Sequence, residues 1–147
     1  MEFRARPKGD YLMNAEWQDL HTLTEHWQSE MHFYEDEMRF LMVLFEKYFT
    51  ALVEKENIES TKNVAASMTA VDLTRSSLAQ RIQQHLQNIL DLVERRSEKN
   101  TGDFRFDHQL LEDDFVSFAE RFRSLKRDVF RLAENIAKTE KLHLISG

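Results

Sequence analysis

The chain of 147 residues has no cysteine, three glycines and a single proline, Pro7. Without cysteine there is no disulfide, zinc knuckle, iron–sulfur cluster or thiol nucleophile, and the composition fits a reducing, cytoplasmic compartment. Sheet-rich folds draw on Gly and Pro at every chain reversal, so their scarcity points to long helices with few connections. No apolar run approaches the roughly 20 residues of a membrane span. The longest, residues 40–45, has six. The opening Met1-Glu-Phe-Arg-Ala-Arg-Pro-Lys-Gly lacks the apolar stretch of a secretory signal. Residues 1–13 read as a mobile arm ahead of one helical domain over residues 14–147.

A concentrated basic stripe is also lacking. Residues 1–59 carry 13 acidic and 6 basic side chains and residues 60–147 carry 13 and 14, for a net charge of −6. An acidic chain of this kind is a poor partner for nucleic acid or an anionic membrane, and neither is expected. There is no G-x-S-x-G, phosphate-binding loop or dinucleotide fingerprint.

What is present is apolar periodicity. A first helix is expected over about 14–54, opening on Asn14 as N-cap, with the heptad-like seam Trp27, Met31, Tyr34, Met38, Leu41, Phe45, Tyr48, Leu52. Phe33, Phe40 and Leu44 widen this arc on one side. A second helix, over about 60–97, is capped by Ser60 or Thr61, with the seam Val64, Met68, Val71, Leu78, Ile82, Leu86, Ile89, Val93. Asn100 and Gly102 mark residues 98–107 as a loop, with Phe104 and Phe106 tucked against the end of the bundle. The third helix, over about 107–141, carries the cleanest seam: Leu111, Phe115, Phe118, Phe122, Leu125, Val129, Leu132, Ile136. Short connections imply an all-α, up-down-up bundle of three long amphipathic helices, with dimerisation available to cover the wide arc of the first. Most of the 16 aromatic residues fall at seam spacing and are read as core.

Several polar side chains interrupt these arcs. Glu30 and Glu37 fall near the middle of the first, Arg75 in the middle of the second, and His26 and His85 toward the edges. An isolated buried charge costs several kcal/mol, so partners are expected. A turn centred near residue 56 sets Glu37 beside Arg75 and Glu30 beside His85, which makes Glu37–Arg75 an interhelical ion pair and His26, Glu30, Tyr34 and His85 a polar cluster. Two alternatives share these residues. His26 and Glu30, spaced i, i+4, could hold a mononuclear metal with His85. A cavity beside Tyr34, Glu37 and Arg75 could carry a small molecule.

The metal alternative rests on a common pattern, because His-x-x-x-Glu occurs three times: His21/Glu25, His26/Glu30 and His108/Glu112. The paired Glu-x-x-His motifs of di-iron bundles reduce here to one, ending at His143. Glu30 and Glu37 lie about 10.5 Å apart along one helix face, too far to flank a single bond as acid and base. The expectation is therefore a non-enzymatic bundle without cofactor, acting by helix-mediated contact with itself or with another protein.

Overall fold

A computed structural model describes residues 16–52, 58–94 and 101–146. It is an all-α bundle of three helices: α1 (Trp17–Leu52), α2 (Ile58–Val93) and α3 (Thr101–Ser146). None of the described helices is long and apolar enough to cross a membrane. The expected N-terminal arm and the Asn14 cap lie outside the described residues.

The first turn of α1 closes on Glu16, whose carbonyl accepts from the amides of Asp19 and Leu20 at 3.0 and 3.2 Å. The Asp19 carboxylate there complements the positive end of the helix. α2 starts at Ile58, which places Ser60 and Thr61 inside the helix and Thr61 among the buried residues, so neither is the cap expected from the sequence. The larger departure is α3, which runs through the expected 98–107 loop from Thr101 onward. Gly102 disfavours helix by about 1 kcal/mol relative to Ala. Burying a phenylalanine is worth about 1.5–3 kcal/mol, and the extra turns of α3 place Phe104 in the core against Leu20 and Ile89. Packing outweighs the turn signal. Phe106 does not tuck in with it and stays 61% exposed.

The chain forms two compact units, each made of a segment from all three helices. The first holds α1 up to Tyr34, α2 from Thr74 and α3 up to Ala119. Within it Trp17 meets Phe104, Trp27 meets Phe115 and Tyr34 meets Phe118, while Arg81 meets Asp114 and His85 meets His108. Numbers on α3 rise with those on α1 and fall with those on α2, which is the up-down-up order. The second unit holds α1 from Glu35, α2 up to Leu73 and α3 from Glu120. There Glu37 meets Lys126 and Phe40 meets Phe130, with the same parallel sense.

The α3 seam is buried at all eight expected positions. On α1, Trp27, Met31, Met38 and Leu41 are buried, and Leu20 and Thr24 extend the seam toward the N-terminus. Thr24 is accommodated because its hydroxyl donates to the Leu20 carbonyl at 2.7 Å. On α2 the seam is buried from Val64 to Ile82 and again at Ile89. Between them the buried position is His85; Leu86 is only partly covered and Val93 is exposed.

Candidate functional site

The most unusual chemistry lies inside the first unit. His85 of α2 and His108 of α3 are both buried, with Nε2 of His85 and Nδ1 of His108 2.8 Å apart. One of these nitrogens carries the shared proton and donates it to the other. His85 reaches the core because 78, 82, 85 and 89 are themselves a three- and four-residue series down α2. His108 stands in the equivalent series 104, 108, 111, 115 on α3, legible only once the helix is known to begin before Phe104.

Aromatic rings hold the pair from both sides. Phe104 stacks on His85 at 4.4 Å and 6°, and Trp27 stacks on His108 at 4.8 Å and 28°. The series continues at one end to Trp17, edge-on to Phe104 and capped by the Arg105 guanidinium 4.5 Å from its ring. At the other it passes through Phe115 to Tyr34, which stands edge-on to Phe118 at 5.1 Å. The two imidazoles are thus rungs of an aromatic ladder spanning all three helix segments.

Burial gives the site an electrostatic character. Desolvation holds the His108 ring neutral, its pKa lowered from 6.5 to about 3, and the charge of Arg105, with that of His85 when it is protonated, acts in the same direction. Glu112, one turn further along α3, is also buried. The Nε2 of His108 and the indole Nε1 of Trp27 find no hydrogen-bond partner among the described residues. Each such atom costs about 1–3 kcal/mol. On the outer side, His85 lines a cleft of about 250 Å³ together with Arg81, Gln84, Asn88, Asp107 and Leu110. The Arg81–Asp114 ion pair, at 2.8 Å, bridges α2 and α3 in the same unit.

The residues singled out from the sequence are distributed otherwise. His26 and Glu30 pair with each other at 3.8 Å on a half-exposed face of α1, whereas His85 is committed to His108. The structure does not assemble His26, Glu30 and His85. Among the described residues no group of three His, Asp or Glu side chains could hold a metal ion. Tyr34 belongs to the aromatic ladder of the first unit. Glu37 in the second unit accepts two bonds from Lys126 Nζ, both at 3.0 Å, so the partner seen at Glu37 is on α3 instead of the Arg75 expected from the register. Simple antiparallel counting considers only α1 against α2 and misses a parallel third helix. Arg75 itself is partly buried in the first unit.

With side chains 24% and 41% exposed, Glu37 and Lys126 are expected to couple weakly. A double-mutant cycle on Glu37→Gln and Lys126→Met should return about 0.5–1 kcal/mol, reduced at high salt. Strict additivity in the cycle would remove the pair from the energetics of the second unit.

Sequence inspection missed His108 and Glu112 as a buried pair of groups. Their His-x-x-x-Glu spacing was visible, but so was the same spacing at His21/Glu25, which is a surface pair at 3.2 Å. The distinguishing signal was the apolar company at Phe104, Leu111 and Phe115. No family model matches this chain, and neither a curated protein nor a solved structure matches it.

Proposed function

We propose that the protein is a non-enzymatic helix-bundle interaction module that self-associates through the α1–α3 face of its second unit. The observation carrying this reading is the pair Phe40 and Phe130, whose rings lie 6.4 Å apart while 56% and 39% exposed. Val43, on the same segment of α1, is 60% exposed. Two adjacent phenylalanines left in water forgo burial worth roughly 25 cal/mol per Å² of apolar surface. A two-fold contact would bring the same patch from each copy together and double that gain. The Glu37–Lys126 ion pair lies beside the aromatic pair, Glu37 three residues before Phe40 and Lys126 four before Phe130, and supplies the polar margin usual at such a patch.

The net charge of −6 opposes close approach of two copies at low ionic strength. Screening over a Debye length of about 10 Å at 0.1 M salt removes most of that opposition. Sedimentation velocity on the full chain at micromolar concentrations is therefore expected to show a species of twice the 17.6 kDa monomer mass, strengthened by moderate salt. Phe40→Glu should abolish it, and Phe33→Glu, also on α1, should weaken it less. A single 17.6 kDa species at all concentrations, or a dimer indifferent to Phe40→Glu, would dismiss the proposed face.

A further inference from the structure

We propose that the His85–His108 pair is a proton-operated latch, closing the first three turns of α3 onto α2 in the first unit and releasing them in mild acid. The geometry admits one extra proton and no more. With Nε2 of His85 and Nδ1 of His108 2.8 Å apart, one nitrogen donates and the other must offer a lone pair. Adding a single proton to the pair preserves that arrangement. Adding two turns both nitrogens into N–H donors pointing at each other and sets two imidazolium charges side by side between Phe104 and Trp27.

The groups around the pair are of both signs, and none of them alters the count, which is set by the two nitrogens facing each other. α3 presents the Arg105 charge, Asp107 at the cleft, and Glu112 one turn beyond His108. α2 presents Arg81, which lines the cleft and pairs with Asp114. α1 faces His108 with the uncharged Trp27, and the titratable side chains flanking it in sequence, His26 and Glu30, are paired with each other. The route for the proton is the cleft that His85 lines.

In the open form each imidazole takes its own proton near the ordinary value of 6.5. The closed form excludes one of the two, so below that value opening gains a factor approaching ten for each pH unit. Between pH 7.5 and 5.0 this amounts to about a 30-fold rise in the open population. The surface set free is apolar, because Phe104 and Leu111 on α3 and Ile89 on α2 lose their cover. The latch therefore links acidification to presentation of a new hydrophobic face.

Amide hydrogen exchange on the full chain, corrected for the intrinsic pH dependence of exchange, tests this. Residues 82–93 and 101–111 are expected to lose about 30-fold in protection between pH 7.5 and 5.0, with residues 122–136 of the second unit nearly unchanged. His108→Phe should keep the stack on Trp27 and abolish most of the response. Equal loss in both units, or no loss in either, overturns the proposal. A ring-resolved NMR titration of the wild-type histidines tests it independently of that variant. The second imidazole of the pair is expected to take up its proton only together with the loss of protection, and two uptakes with protection intact would refute the latch.

Discussion

Global stability is expected to fall by about 1.4 kcal/mol per pH unit through His108 alone as the pH drops below about 6.5. The folded ring is held neutral, with a pKa of about 3 against 6.5 for an unperturbed histidine. Between those values the unfolded chain binds a proton that the folded chain refuses. The contribution is thus fully present above 6.5, declines as the pH falls, and is exhausted near 3. Integrated over the window it is on the order of 5 kcal/mol, comparable with the whole stability of a small domain. Carboxylate titration enters below about pH 5, so the interval from 6.5 to 5 reads histidine protonation, with about 2 kcal/mol at stake through His108. Urea unfolding at half-unit pH steps reads this directly, and His108→Phe should flatten the slope in that interval. A wild-type curve already flat from pH 7 to 5 would mean that His108 takes up its proton inside the fold.

Removal of the central rung of the ladder is expected to be as damaging. Trp27 is fully buried and stacks on both His108 and Phe115. Trp27→Ala leaves a cavity where an indole stood, and comparable substitutions cost about 3–5 kcal/mol. Trp27→Phe keeps an aromatic face against His108 and deletes a buried indole N–H that has no acceptor among the described residues. Its cost should therefore be smaller, under about 2 kcal/mol, because the lost volume is offset by removing an unsatisfied donor. Equal costs for the two variants, measured by urea unfolding, would show that keeping an aromatic ring against His108 contributes nothing.

Among the residues of functional interest, recognition followed local pattern. Phe40 lies on the flank of α1 that the width of the apolar arc had marked, and its exposure agrees with a face left unfilled by α2 and α3. The sequence alone implies that Glu37 has a partner, since a carboxylate near the middle of an apolar arc cannot stand alone. Its partner was not recognisable, because Lys126 is 89 residues away. His85 reads from the sequence as a polar residue at the edge of its arc, because Leu86 is the more apolar candidate for the same turn. Helical steps of three and four residues permit either one.

The fold class was settled by the sequence alone. Three stretches of 3.6-residue periodicity, almost without glycine or proline, can bury their apolar stripes only against one another, and the α3 seam is buried as its spacing requires. Tertiary structure decided where the chain stops being loop and which polar groups go inside. Gly102 acts as a turn signal only as long as nothing nearby rewards a helix. The space bounded by Leu20 and Ile89 supplies that reward to Phe104, and the same added turns carry His108 into register with His85. A hydrogen bond between two imidazoles 23 residues apart leaves no local trace in the sequence. It exists because two seams, each read correctly only in part, meet in the core at a level that neither specifies by itself.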